Sequence, residues 1–467
     1  MTLAANNSDK RLPASLMAVY ALPTLPLALV ILPIGIVLPA FYAANTTATL
    51  AAIGAIAFAS RAFDAFTDPL IGFLSDRTHT PIGGRKPWML LGALIAALSL
   101  FQLFTPDSSS GIVYYTVWSF AVYTGFTLID IPMRAWGIEL CVNYDERSRI
   151  STYVTTFTVL GSVTFWLALI IQYPFTGTTD LTAEVFRAIG WAFAFLLPAL
   201  IIYAVVRIPT GEPVSDENPT LKDMVASFRG NRPMWRFVAA YALWATGNGI
   251  FTVTFYIFMM EYMLLGPQFP FLMLVYFGVQ VLSMPLWLKI MYRFGKHRSW
   301  SISFALQATL PWLVLLIEPG PSAFVPAMAL TAVLALVAGG ILVVPMALLG
   351  DIVDYDILKT GVNRAGNYFA INTLMQKFGM GAGMGIGLPV IAAFGYQSGA
   401  DITGLVKFGL IFTYLVLPTC FGLTAAAVIW GFPIDARRHG IIRRRIEQRA
   451  ARSMETAATA ECHEGNS

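Results

Sequence analysis

Residues 60–88 read SRAFDAFTDPLIGFLSDRTHTPIGGRKPW, and they place two aspartates, Asp64 and Asp68, inside an apolar run with the composition of a membrane span. A carboxylate near the middle of a bilayer costs about 2.5–3.5 kcal/mol on insertion scales. The two residues are four positions apart and therefore share one face of a helix. They need a compensating positive charge or a water-lined cavity, and the expected partner is a bound cation.

The composition of the whole chain supports a membrane location. Of its 467 residues 57% are hydrophobic and 12% are charged, with a mean hydropathy of +0.67, whereas soluble domains carry about 25% charged residues. Apolar stretches of about 20 residues, the length that crosses a bilayer, recur about twelve times between residues 14 and 431. The sequence predicts an all-α integral membrane protein.

Charged residues orient and divide these spans. Lys and Arg fall in every second loop, which predicts that those loops and both termini are cytoplasmic in a multi-pass protein of the cell inner (plasma) membrane. The longest charged interruption divides the spans into six and six, as in transporters built from repeats. The predicted organisation is a first bundle over residues 1–206, a central loop over 207–233, a second bundle over 234–432 and a basic cytoplasmic tail over 433–467. The tail is expected to lie near anionic headgroups, with a regulatory segment as the alternative.

Cysteine and histidine usage argues against an enzyme. The three cysteines have no metal-ligand spacing, and all four histidines lie in predicted loops or the tail. There is no Gly-rich phosphate loop for ATP. The chain is therefore expected to have no catalytic residues, to need no cofactor beyond a coupling ion, to bind no nucleic acid, and to work as a monomer on a small-molecule solute.

Three segments together resemble one family of transporters. They are RAFDAFTDPLIGFLSDRT followed by GGRKPW, DIPMRAWGIELCVNYDERSRI at residues 130–150, and GDIVDYDILKTGVNRAG at residues 350–366. The chain resembles the glycoside-pentoside-hexuronide:cation symporters of the major facilitator superfamily, which are typified by melibiose permease. This resemblance implies a twelve-helix fold of two pseudo-symmetric six-helix bundles that couples cation entry to solute uptake by alternating access.

The resemblance also implies a cation site between the second and fourth helices. Carboxylates and hydroxyls suit a hard cation such as Na⁺, or a proton. The implied ligands are Asp64, Thr67, Asp68, Thr127 and Asp130, with the three aspartates as the direct metal ligands. An alternative is that Asp64 pairs with Arg61, and Asp130 with Arg134, as structural ion pairs.

Further residues are candidates for the solute cavity and the gates. Lys377 is alone in the apolar eleventh span, and it either snorkels or faces the acidic cluster, as the family's lysine does at this place. The solute-binding candidates are Asp130, Arg134, Trp136, Tyr368, Asn372, Gln376 and Lys377, with Asn248 as a further candidate. The gating candidates are Asp76, Arg77, Arg85, Arg147, Asp351, Asp354 and Arg364.

The sequence departs from the family where a sugar would be held. Residues 20–43 carry no charge, Val154 stands where an arginine is expected, and Ala365 and Gly366 stand where a glutamate is usual. Loss of an acid and a guanidinium removes a polar clamp on hydroxyl groups. The solute is expected to be glycoside-like or a more apolar organic molecule. The alternatives are a cation-linked lipid transporter and a proton-coupled efflux antiporter of the same fold.

Overall fold

The computed structural model describes residues 12–140, 144–176, 182–210, 231–361, 365–397, 402–435 and 437–449, which are almost entirely helical. The first half contains six membrane helices. They are α1 in three segments, Ala14–Ala21, Thr24–Ile36 and Leu38–Asn45, then α2 Leu50–Asp76, α3 Lys86–Phe104, α4 Ile112–Leu140, α5 Tyr144–Thr176 and α6 Ala183–Arg207.

The second half repeats this arrangement and adds a helix in the tail. It contains α7 Arg232–Ile257, which continues in a π turn Phe258–Tyr262, and α8 in two segments, Phe269–Leu282 and Met284–Phe294. Helix α9 Lys296–Thr309 is followed by the 3₁₀ turns Leu310–Leu316 and Pro321–Ala323. The last three are α10 Phe324–Thr360, α11 Ala365–Ala393, and α12 in the segments Gly404–Ile411, Phe412–Val416 and Leu417–Trp430. The tail helix α13 covers residues 437–449.

Twelve of these helices belong to the membrane domain. Ten helices of the described chain are long and apolar enough to span, and the two segments of α8, bent by 46°, make an eleventh span. The bend falls at Ser283, just before Pro285, whose ring removes a backbone donor from the helix. The twelfth is α11, which packs between α2 and α7. The predicted twelve-helix architecture is confirmed.

The two ends of the molecule differ in how the halves meet. We call the end that carries α13 the tail side and the opposite end the far side. On the far side one apolar core joins both halves, with the ring of Trp166 on α5 lying 5.6 Å from that of Phe269 on α8. The second core, nearer the tail side, contains residues of the second half alone. Among the described residues, the apolar core that the two halves share therefore includes this contact on the far side.

Helix α11 packs closely on both halves through glycines. A Cβ at Gly381 would lie 2.5 Å from Cβ of Arg61 on α2, and one at Gly379 would lie 2.5 Å from Cβ of Ala245 on α7. Glycines spaced by four residues permit this close approach of helix backbones. The face with Gly381 and Gly385 meets the first half, so α11 is the main helical contact between the halves.

We expect Gly381→Val to loosen this contact. The added side chain would overlap Arg61, and overpacking of this kind costs about 1–3 kcal/mol. Thermal unfolding in detergent should therefore occur several degrees lower. The matched control is Gly278→Val on α8, where a Cβ would meet nothing within 4 Å. Equal melting temperatures for the two variants would contradict the close contact between α11 and α2.

Candidate functional site

The carboxylate of Asp64 is buried beside an arginine of its own helix. Asp64 is 2% exposed, and its Oδ2 lies 3.1 Å from Nη1 of Arg61, one turn earlier on α2. The guanidinium of Arg61 also lies 4.1 Å from the centre of the Tyr123 ring on α4. A cation over an aromatic face is stabilised by the ring quadrupole. Arg61 is thus fixed between α2 and α4, and it neutralises Asp64.

The second carboxylate of α2 pairs with the other half of the molecule. Nζ of Lys377 on α11 lies 2.6 Å from Oδ2 of Asp68, and both side chains are mostly buried. A buried lysine needs a negative partner, because removal of one member of such a pair costs about 3–5 kcal/mol. This ion pair directly links the two halves near the middle of the membrane.

Asp64 and Asp68 each keep one unused carboxylate oxygen. Oδ1 of Asp64 and Oδ1 of Asp68 are buried and accept no hydrogen bond from the described residues. An ionised carboxylate can accept on both oxygens, and an unsatisfied buried acceptor is costly. Nearby on the chain, the hydroxyl of Thr67 donates to Phe63 O at 3.3 Å, while Thr127 is buried on α4. Two free carboxylate oxygens on one helix face are therefore available to a cation.

Asp130 is in a different environment from the α2 pair. Both of its carboxylate oxygens accept from Nε of Arg134 at 2.9 Å. The side chain of Asp130 is 37% exposed and that of Arg134 is 68% exposed. A charged pair within a membrane helix is expected to face water, and the exposure of these two side chains agrees with that expectation.

The three aspartates do not form one cluster in this conformation. In the described part of the chain, no three Asp, Glu, His or Cys side chains are grouped so that they could hold a metal ion. Asp64, Asp68 and Asp130 each have their own basic partner. The geometry therefore matches the ion-pair alternative for Asp64 and Asp130. The physical reason is that a buried carboxylate without a bound cation is neutralised by the protein's own cations.

A cavity of about 350 Å³ lies in the second half, beside α11. Its described lining comes from α7, α8, α9, α10 and α11, and the first half contributes Ile36 alone. On α11 the lining residues Gln376 and Met380 directly precede Lys377 and Gly381, which face α2. One helix therefore contacts both the cavity and the acidic pair.

The predicted solute-binding residues fall into two groups. Gln376 and Asn248 line the cavity, whereas Asp130, Arg134 and Lys377 lie outside its described lining. Trp136 is 1% exposed and donates to Pro209 O at 3.1 Å, and Tyr368 is 0% exposed and accepts from Asn231.

Trp136 and Tyr368 therefore have packing contacts. Asn372 is 2% exposed, and its Oδ1 lacks a hydrogen-bond partner among the described residues. Sequence reasoning missed Gln280 and Gln307, two further residues of the lining. The signal for both was an isolated carboxamide inside an apolar helix.

The predicted gating residues form related networks in the two halves. Arg85, after the loop between α2 and α3, pairs with Asp76 and, at 2.8 Å, with Glu139 at the end of α4. In the second half Lys296, after the turn between α8 and α9, pairs with Asp351 of α10 at 2.5 Å. The repeated pattern, a base after the second helix and an acid on the fourth, agrees with two pseudo-symmetric halves.

The tail helix α13 extends the second network. Nε2 of His439 lies 3.2 Å from Asp351 and 2.9 Å from Asp354, and Nε of Arg443 lies 3.4 Å from Asp354. The N–H of Arg438 donates to Asp435 at 2.8 Å, which caps the helix and lowers the pKa of Asp435. Part of the basic tail is thus docked on α10.

Of the other gating candidates, Arg77 alone has a described side chain. Arg77 lies over the ring of Phe73, 3.9 Å from its centre. Arg364 and the side chain of Arg147 lie outside the described residues.

We expect Asp354→Asn to loosen α13, because the substitution removes the negative charge that pairs with both His439 and Arg443 and leaves Asp351 as the charged partner of His439. Limited trypsin digestion, followed by mass spectrometry, should then cut after Arg443, Arg444 or Arg445 several times faster. Asp107→Asn is the matched control, since Asp107 is exposed in the loop before α4 on the far side. Unchanged cleavage in Asp354→Asn would show that these ion pairs do not hold the helix.

Comparison with known proteins identifies the fold. Residues 19–436 match the model of the family described as MFS/sugar transport protein. The chain is 24% identical over 454 residues to the sodium-dependent lysophosphatidylcholine symporter 1 of Homo sapiens, a match that covers 88% of this chain and 81% of that protein. It is 26% identical over 410 residues to the isoprimeverose transporter of Lactiplantibacillus pentosus, covering 84% and 82%.

A solved structure gives the same result. The crystal structure of the nucleoside transporter NupG matches with a TM-score of 0.62 at 12% identity, over 90% of this chain and 98% of that one. At this identity the likeness shows the fold, and it confirms the predicted major facilitator fold of two six-helix bundles.

Proposed function

Since this chain belongs to the MFS/sugar transport protein family and is a multi-pass membrane transporter rather than an enzyme, we propose that it is a cation:solute symporter that works by alternating access. The observation that carries this proposal is the pair between Asp68 of the first half and Lys377 of the second. In this scheme the ammonium group occupies the place of the coupling ion in the conformation described above.

The coupling ion is Na⁺ or a proton, which binds to Asp68 and Asp64. Both residues have a buried oxygen without a partner among the described residues, which suits a small hard cation. Arrival of the cation releases Lys377 from Asp68. Because Gln376, the preceding residue, lines the cavity, the same movement of α11 changes the solute site. Such coupling is reciprocal, and typical values are about 1–3 kcal/mol.

The geometry also fits the remaining parts of this function. A single chain contains both the acidic pair and the cavity, so a monomer suffices. The tail side is the cytoplasmic side, and the inner membrane is the location, because the basic loops lie on that side. The relatives named above are symporters or sugar transporters, which supports a small organic solute.

Transport in proteoliposomes tests the proposal. The purified protein is reconstituted, and accumulation of a panel of neutral glycosides, organic acids and lysophospholipids is measured with an inward Na⁺ gradient, with an inward proton gradient, with an outward proton gradient, and with no gradient. We expect one gradient to drive accumulation above the external concentration. Accumulation driven by outward proton flow would instead show an antiporter, and gradient-independent equilibration would show a facilitator.

A further inference from the structure

The described lining of the cavity beside α11 carries no formal charge. Its polar groups are mostly carboxamides and hydroxyls, and they come from five helices. They are Tyr241, Trp244, Asn248 and Thr252 on α7, Tyr276 and Gln280 on α8, Gln307 on α9, Thr331 on α10 and Gln376 on α11. A solute with a net charge would be desolvated there without a counter-charge, which is strongly unfavourable. The lining therefore discriminates against ions.

The carboxamides are available to a ligand. Gln307 uses its Oε1 to accept from Nε1 of Trp244 at 3.3 Å, which directs its amide N–H groups elsewhere. A carboxamide both donates and accepts hydrogen bonds, as a hydroxyl group does. Four carboxamides on four different helices can therefore bind several hydroxyl groups of one molecule from different directions.

The rest of the cavity wall is aromatic and aliphatic. Phe251 and Phe255 on α7, Phe277 on α8, and Leu334 and Ile341 on α10 contribute to it. Small-molecule sites typically measure about 300–1,000 Å³ and combine an apolar wall with a few polar groups. With a volume of about 350 Å³, this cavity fits a small molecule that has both hydroxyl groups and an apolar surface.

We propose that this cavity, built almost entirely by the second half, is the solute site and that it selects an uncharged amphipathic molecule whose hydroxyl groups bind the carboxamides. The inference rests on the proposed symport function for its role in transport. It separates the two sites, because the charged groups Asp64, Asp68, Asp130 and Lys377 take part in ion pairs, and none belongs to the described cavity lining. A phosphate-bearing lipid would find no basic partner in this lining.

Equilibrium binding to the full chain in lipid nanodiscs tests whether the site selects an uncharged solute. Alkyl glycoside detergents are avoided because they resemble the probes. The probes are neutral p-nitrophenyl hexosides, the matched p-nitrophenyl uronides, which differ by one carboxylate, and lysophosphatidylcholine. We expect at least one neutral hexoside to bind at least tenfold more tightly than its uronide and than the lipid. Equal or tighter binding of a uronide or of the lipid, or binding of no neutral probe, would overturn the proposal.

Variants locate the site. Gln280→Leu and Gln307→Leu should each weaken binding of the neutral hexoside by about 5- to 10-fold, as expected for loss of one hydrogen bond. The Gln280 side chain makes no hydrogen bond to another described residue, so Gln280→Leu remains informative if Gln307→Leu destabilises Trp244. The control Gln102→Leu replaces a glutamine of α3 that accepts from Tyr114, and it should leave binding unchanged. Unchanged binding in Gln280→Leu and Gln307→Leu would refute this location.

The binding measurement is independent of the symport proposal. It needs no ion gradient, so the selectivity for a neutral probe can be observed even if no gradient drives uptake. In that case the symport function would fail and the site would stand. Conversely, gradient-driven uptake of a charged solute would support the symport function and contradict the proposed selectivity of the solute site.

Discussion

Replacing Asp68 with asparagine should abolish cation-driven accumulation, so that solute inside proteoliposomes reaches only the external concentration. The substitution removes the carboxylate that binds Lys377 at 2.6 Å and, in the proposed mechanism, the coupling ion. Solute binding should persist, because Asp68 is absent from the described cavity lining. Uptake with and without the driving gradient, together with equilibrium solute binding, measures both effects.

The Asp68→Asn variant leaves the ammonium group of Lys377 without its partner, and unpaired buried charges can prevent folding. The double variant with Lys377→Gln removes both charges and should recover a monodisperse protein that still lacks accumulation. Asp107→Asn, in an exposed loop, should accumulate solute normally. Gradient-driven accumulation by either the single or the double variant would refute a role of Asp68 in coupling.

Lys377→Gln alone should raise the affinity for the coupling cation at least tenfold. The ammonium group competes with the cation for Asp68, and its removal leaves a buried carboxylate that binds a positive charge more strongly. The affinity is measured as the Na⁺ concentration, or the proton concentration, that gives half of the maximal increase in melting temperature. Lys407→Gln, on α12 near the ring of Tyr262, is the control lysine.

If Lys377 were only a solute ligand, Lys377→Gln would weaken solute binding and leave the cation affinity unchanged. We expect the reverse, since Lys377 is not among the described cavity residues. Turnover should also slow, because the variant holds the cation too firmly to release it.

The sequence predicted the fold and the charges of the site, and it could not predict how helices face each other. Apolar runs of sufficient length report membrane spans directly, and a carboxylate within such a run needs a partner. Arg61 and Arg134 were therefore recognisable as possible partners of Asp64 and Asp130, because they lie within one helical turn. The partnership of Asp68 with Lys377 joins residues 309 positions apart, and only a family resemblance suggested it.

The cavity was the least predictable feature. Isolated carboxamides such as Gln280 and Gln307 occur in an apolar helix for many reasons, and their direction depends on how α8 and α9 rotate in the bundle. Trp136 and Tyr368 show the converse, since their amphipathic side chains satisfy a packing contact and one hydrogen bond each. The docking of α13 has a local signal, because His439, Ile442, Arg443 and Ile446 follow a helical period, and the charge-based interpretation of the tail overlooked it.

The glycine face of α11 also has a consequence for the speed of the transport cycle. Gly381 and Gly385 present no side chain to α2, and the side chains of Arg61 and Phe58 on α2 occupy the space that this leaves. Reorientation of the halves therefore has to withdraw these side chains as well as break the Asp68–Lys377 ion pair and the aromatic contacts of Trp166 with Phe269 and of Phe58 with Phe378. The activation barrier is shared among these contacts, and the Asp68–Lys377 pair is the one on which a bound cation would act directly.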